Sequence, residues 1–238
     1  MRTIGLLGGM SWESTQTYYR LVNEGVRDRL GGLHSAECVL YSVDFEPIEQ
    51  LQAGGDWDTA GRVLARAALG VEAAGAEFLV LCTNTMHKVA PAIEDAIEIP
   101  LLHIADATGN AVKASGIATV GLLGTRFTMT EEFYRGRLAE RNGLEVLIPS
   151  ESERTTVDKV IFEELCLGEI LDESRARYVE VIHNLVQLGA EAVILGCTEI
   201  SLLVKPGDTP VPLFDTTEIH ARMAVDWALT GGVSWQIE

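Results

Sequence analysis

The chain has 238 residues, with 18 Lys+Arg against 35 Asp+Glu, a formal net charge of −17, 47% hydrophobic residues and 22% charged ones. That length allows one large domain or two small ones, and so apolar a composition excludes disordered and fibrous classes. The isoelectric point near 4.6 excludes nucleic acid and anionic membrane surfaces as electrostatic partners, because phosphate recognition needs Lys and Arg.

The chain opens with Met1-Arg2 and the apolar run Thr3–Leu7, then passes directly into Gly8-Gly9-Met10-Ser11-Trp12-Glu13. The run is too short for the core of a signal peptide, and no small-residue cleavage pattern follows it. No apolar stretch approaches the roughly 18–20 residues of a membrane span. Cys38, Cys82, Cys166 and Cys197 lie far apart with no C-x-x-C pair, so neither a disulfide framework nor a zinc site is expected. The expectation is a reduced, cytoplasmic protein with no metal and no membrane partner.

Short β-rich runs alternate with helical patterns. Thr3–Leu7 and Phe78–Leu81 read as buried parallel strands; between them Ala60, Leu64, Ala67/Ala68 and Val71 repeat at helical spacing and Gly75 stands where the helix should stop. Further on, Tyr178, Ile182 and Leu185/Val186 give the same pattern before Gly189 and another strand. A last helix is expected over about 218–229, and the tail 230–238 has no periodicity and is expected to be loosely held.

The chain also repeats itself. Thr3-Ile4-Gly5-Leu6-Leu7-Gly8 returns as Thr119-Val120-Gly121-Leu122-Leu123-Gly124, an offset of 116. Gly75-Ala76-Glu77 with Leu79-Val80-Leu81 returns as Gly189-Ala190-Glu191 with Val193-Ile194-Leu195, an offset of 114. Ile99-Pro100-Leu101-Leu102 returns as Val211-Pro212-Leu213-Phe214, an offset of 112. Three matches in one order point to a duplicated half. The expected fold is α/β: two pseudo-symmetric parallel-sheet domains with the active site in the cleft between them. The first comprises 1–103 with the C-terminal helix of 216–238 packing back on it, the second 104–215, and the joint falls near 103–117. Right-handed crossovers place functional loops at the carboxyl ends of the strands.

The repeat pairs Cys82 with Gly196, Thr83 with Cys197, Asn84 with Thr198 and Thr85 with Glu199. A hydroxyl and a thiol then occupy equivalent loop positions. Two proton carriers facing each other suit removal of a proton from one face of a carbon acid and its return to the other. Side chains alternate along a strand, so Cys82, one residue earlier, should turn away; a bend at the strand end is the alternative that would make Cys82 the second acid/base.

Leu6-Leu7-Gly8-Gly9-Met10, Cys82-Thr83-Asn84-Thr85-Met86-His87 and Gly196-Cys197-Thr198-Glu199 together resemble the aspartate/glutamate racemase family over nearly the whole chain. The resemblance implies cofactor-independent racemisation of a small amino acid and a homodimer. In that family one cysteine from each half serves as base and acid; here the first is replaced by Thr83. A thiol lowered by a helix N-terminus can act as a base near neutral pH, whereas a threonine hydroxyl is a donor or relay and a poor base. With the second-half cysteine serving the L-enantiomer in that family, the resemblance implies preference for L-substrate.

Substrate contacts are expected from Asn84, Thr85 and Thr198 at helix starts and from Glu199, which would accept from the ammonium or tune Cys197. By resemblance, Met10 and Gln52 are added. Arg126 is the candidate cation for a side-chain carboxylate, although Glu46-Pro47-Ile48-Glu49 and Glu163-Glu164-Leu165-Cys166 stand where some aspartate-specific relatives carry basic residues. Two alternatives stay open: a related cysteine-dependent isomerase of the hydantoin or maleate type, and a non-catalytic amino-acid-binding protein. His87, His103 and His220 read as structural.

Overall fold

Continuous apolar runs become buried parallel strands because helices cover both faces of such a sheet. The computed structural model describes residues 1–231; the remainder of the expected tail, 232–238, lies outside the described residues. In chain order the elements are β1 (Ile4–Gly8), α1 (Trp12–Leu30), β2 (Cys38–Ser42), α2 (Phe45–Gly54), α3 (Trp57–Ala73), β3 (Phe78–Leu81), α4 (Ala90–Glu94), β4 (Leu101–Leu102) and α5 (Ile104–Ala114). There follow β5 (Thr119–Gly124), α6 (Arg126–Thr130), α7 (Arg135–Asn142), β6 (Glu145–Leu147), α8 (Glu151–Glu163), α9 (Asp172–Gln187), β7 (Ala192–Gly196), α10 (Ile200–Leu203), β8 (Leu213–Asp215) and α11 (Thr216–Thr230).

The strands form two four-stranded sheets of the same order, β2-β1-β3-β4 and β6-β5-β7-β8, with every pairing parallel. Their registers repeat as well: Ile4 lies opposite Phe78 as Val120 lies opposite Ala192, and Leu79 opposite Leu101 as Val193 opposite Leu213. This is the α/β fold of two parallel-sheet halves expected from the sequence.

The Gly-Ala-Glu repeat has a structural reason. Gly75 and Gly189 adopt φ of 98° and 110° to leave the preceding helix, a region that costs a side-chain-bearing residue strain. Ala76 and Ala190 are buried. The Glu77 carboxylate accepts from the Thr3 N–H (2.7 Å), and that of Glu191 accepts from Thr119 and Ala118 (2.9 and 3.0 Å). Those backbone bonds hold the Glu191 carboxyl below its usual range. Each glutamate thus satisfies donors at the start of its half's first strand.

The chain divides into two units. The first comprises Met1–Cys82, Val89–His103 and the described residues from His220 to Gly231. Its core gathers Ile4, Leu6, Tyr18, Val22, Phe78 and Val80 with Ala221, Ala224, Val225 and Ala228 of α11. His220 is pinned there: the Tyr18 hydroxyl donates to Nδ1 (2.9 Å), and Nε2 donates to the Leu102 carbonyl (2.8 Å). Burial pushes its pKa down to about 4, against the backbone bond to Leu102, which favours the charged form. The second unit comprises Thr83–Lys88 and Ile104–Ile219, with a core of β5 and β7 residues packed under α8 and α9. The stretch 103–117, read as a joint, is mostly α5, whose buried Ile104, Ala105, Thr108 and Val112 recur at helical spacing. A bidentate pair from Arg137 to Asp106 (2.6 and 2.7 Å) ties α5 to α7.

Candidate active site

The loop after β3, Thr83–Lys88, belongs to the same unit as the loop after β7. The structure therefore gathers Thr83, Asn84, Thr85, Cys197, Thr198 and Glu199 in one unit, whereas Met10 and Gln52 are buried residues of the other. Met10 follows the Gly8-Gly9 turn, and Gln52 lies in the last turn of α2.

Cys82 ends inside the first core. It is fully buried among Leu6, Tyr18 and Val80, and its thiol makes only a long contact to the Val80 carbonyl (3.6 Å). Burial alone pushes that thiol far up. The alternative that made Cys82 the second acid/base has no support in this placement, because strand alternation delivers it to the core.

Cys197 sits just beyond Gly196, 7% exposed, and its Sγ–H donates to Glu199 Oε2 at 3.0 Å. The Thr198 hydroxyl donates to the same oxygen at 2.7 Å, and Glu199 is 2% exposed. A buried carboxylate oxygen thus collects two short-range protons, one of them from sulfur. The expectation of a thiol lowered by a helix N-terminus fails here. Burial first, and the Glu199 charge second, push the Cys197 thiol well above its usual range. The helix behind it, α10, has only four residues, so it supplies little dipole. The loop after β3 leads likewise into a single 3₁₀ turn, Thr85–Val89.

The Thr83 loop is anchored by buried hydrogen bonds that leave little freedom of assignment. A carbonyl only accepts, so His87 Nδ1–H donates to the Thr83 oxygen (2.7 Å), while His87 Nε2 accepts from the Ile104 N–H (3.3 Å). That fixes a neutral tautomer. Thr85 Oγ1 shares a hydroxyl cluster with Thr125 (2.9 Å) and Thr128 (3.4 Å). The Thr216 hydroxyl spends its proton on the Leu195 carbonyl (2.8 Å) and so can only accept from Asn84 Nδ2 (3.1 Å). This sets the Asn84 amide and leaves its Oδ1 buried without a hydrogen-bond partner among the described residues. A buried orphan acceptor costs about 1–3 kcal/mol, and an incoming N–H donor would recover it.

Arg126 is exposed and lies over the Phe127 ring at 5.1 Å, with Lys88 paired to Glu131 at 2.5 Å. Among the described residues no group of three or more His, Cys, Asp or Glu assembles for a metal ion, and no helix is long and apolar enough to cross a membrane. Sequence reasoning missed Thr216 and left His87 out of the site; the one available signal was that His87 closes the Cys82–His87 motif.

The chain resembles known proteins over nearly its whole length. The family model described as Asp/Glu/Hydantoin racemase matches residues 7–224. A solved structure of a candidate Asp/Glu racemase from Yersinia pestis is 57% identical, with a TM-score of 0.89, over 96% of this chain and 100% of that one. An aspartate racemase homologue from Pyrococcus horikoshii OT3 is 36% identical, with a TM-score of 0.82 and the same coverage. The broad specificity amino-acid racemase RacX of Bacillus subtilis is 23% identical over 93% of this chain and 96% of its own length. The sequence motifs, the paired sheets and these matches lead to one conclusion: the chain belongs to the Asp/Glu/hydantoin racemase family.

Proposed function

We propose that the protein is a cofactor-independent isomerase that racemises a small acidic amino acid, aspartate or glutamate, by proton transfer between Cys197 and Thr83. The observation that carries this reading is the Cys197–Glu199 contact at 3.0 Å in the same unit as Thr83. Glu199 takes the thiol proton, and the resulting thiolate removes the α-proton from the L-substrate. Thr83 donates its hydroxyl proton to the opposite face and regains one from water. Glu199 then releases its proton to solvent, so the net change is inversion with solvent hydrogen incorporated. Positioned acid/base groups of this kind contribute about 10²–10⁴-fold.

Asn84 Oδ1, buried and unpartnered, suits the substrate ammonium; Thr85 and Thr198 stay in the proposal as substrate contacts on the sequence reading, the Thr198 hydroxyl proton being held by Glu199. Met10 and Gln52 stay in the proposal on the family resemblance alone, as do the homodimer and the cytoplasmic location. The aspartate racemase homologue at 36% identity supports an acidic substrate.

Two enantiomers have equal free energy, so kcat/KM for inversion must be the same in both directions. The L-preference therefore appears as α-proton exchange without inversion. Incubating L- and D-aspartate and glutamate in deuterated water, with the α-proton followed by NMR and inversion by chiral chromatography, tests this. Fast exchange from the L-form, slow exchange from the D-form and loss of both in Cys197→Ala are expected. No exchange from any amino acid would refute the reading and leave a binding protein.

A further inference from the structure

The two loops assigned to proton transfer are joined through one side chain that neither the motifs nor the repeat single out. Thr216 is the first residue of α11 and is fully buried. Its Oγ1 donates to the carbonyl of Leu195, two residues before Cys197 on β7, at 2.8 Å, and accepts from Nδ2 of Asn84, the neighbour of Thr83, at 3.1 Å. All of these residues lie in the second unit. In the repeat its counterpart is Ile104, whose backbone N–H reaches the same loop through His87 Nε2. An aliphatic side chain at position 216 could make neither hydroxyl bond.

We infer that Thr216 is a positioning residue that sets the placement of the Thr83 loop relative to the strand carrying Cys197 and fixes which way the Asn84 amide points. A hydroxyl that donates once and accepts once is a one-atom bridge, and one-atom bridges transmit displacement with little slack. Misplacement of a catalytic group by about 1 Å costs around a hundredfold. The two half-reactions feel the loss unequally. Abstraction of the α-proton from the L-form needs Cys197 and Glu199, which Thr216 does not touch; a weaker hold of Asn84 on the ammonium lowers exchange and inversion alike and cancels in their ratio. The proton's return to the other face needs Thr83, whose neighbour Thr216 holds.

This inference rests on the racemase reading, and the experiment separates the two. Wild type, Thr216→Val and Thr216→Ser are assayed with L-aspartate and L-glutamate in deuterated water for both α-proton exchange and inversion, after circular dichroism shows a wild-type spectrum. Valine keeps the shape and loses the hydroxyl, so the ratio of inversion to exchange should fall at least tenfold. Serine keeps the hydroxyl and should return the ratio to within threefold of wild type. A destabilised but correctly placed site would lower both rates together and leave the ratio alone. If Thr216→Val does not fold, Thr216→Ala carries the same comparison. An unchanged ratio in the variant without a hydroxyl, or a serine variant as impaired as valine, overturns the assignment while the racemase reading stands. A wild-type protein inert towards both amino acids removes that reading and this inference with it.

Discussion

Replacing Glu199 with glutamine isolates the contact on which the proposed chemistry turns. The change keeps size and shape and removes one buried charge 3.0 Å from the Cys197 sulfur. Its two consequences have opposite signs. At rest the Glu199 carboxylate is the second cause, after burial, of the raised thiol pKa, so its removal must favour the thiolate. Two unit charges about 4 Å apart at an effective dielectric of about 20 repel by about 4 kcal/mol. Relief of a third of this, about 1.4 kcal/mol, is tenfold in thiolate population, so alkylation of Cys197 by iodoacetamide at pH 8 should accelerate about tenfold. In the proposed mechanism the same carboxylate is the proton acceptor, so its loss should slow L-exchange by about 10²–10⁴-fold. Mass spectrometry of the alkylated peptide and deuterium uptake by the substrate read the two rates separately. A more reactive thiol in a slower enzyme is the expected signature. Alkylation unchanged or slower, or exchange within threefold of wild type, would refute the assignment of Glu199.

Four further substitutions test other links. Thr83→Cys places an ionisable group on the second face and should raise D-exchange and inversion in both directions at least tenfold, read by the same NMR and chiral assays. Cys82→Ala removes a thiol packed in the first core, so exchange should stay within about twofold while urea denaturation shows a loss of about 1 kcal/mol. Gly189→Ala forces a side chain to φ of 110° and should cost about 1–3 kcal/mol in the same denaturation assay. His220 is held neutral with a pKa of about 4; the unfolded chain takes up its proton first, so its contribution is complete above about pH 6.5 and is lost as pH falls towards 4. Urea titrations at pH 7 and pH 4 should differ by roughly 3 kcal/mol from this residue alone, and His220→Gln should shrink that difference.

The strands and their order of repetition were legible because buried parallel strands are written as uninterrupted apolar runs, and a duplicated register survives as duplicated spacing. The Gly-Ala-Glu repeat carried still more: left-handed exit, buried methyl and carboxylate clamp recur at both copies. The equivalence of Thr83 and Cys197 followed from that register without any coordinates. What escaped was whatever depends on turns and on long-range hydrogen bonds. The direction of the Cys197 shift was missed because burial dominates it and a short turn also folds Glu199 back onto the sulfur; periodicity is silent on turns. Thr216 stands 132 residues from the amide it holds, and nothing local marks it.

The duplication also supplies a physical reason for the proposed difference between the two enantiomers. In the repeat Glu199 corresponds to Thr85, and these two residues make opposite kinds of partnership. Glu199 accepts a hydrogen bond from Cys197, two positions before it, whereas Thr85 turns its hydroxyl to Thr125 and Thr128. One loop therefore has a carboxylate beside its sulfur, and the other offers an alcohol oxygen and a set of alcohols that no carboxylate drives. Exchanging Thr83 for cysteine alone would then restore a thiol without its acceptor. It follows that Thr83→Cys combined with Thr85→Glu, which copies both members of the Cys197–Glu199 pair, should raise D-exchange beyond the single change, provided the loop keeps its anchors at His87 and Thr216. If the double variant gains nothing over Thr83→Cys, the carboxylate is not what separates the two halves, and the asymmetry must be sought in how each loop holds the substrate.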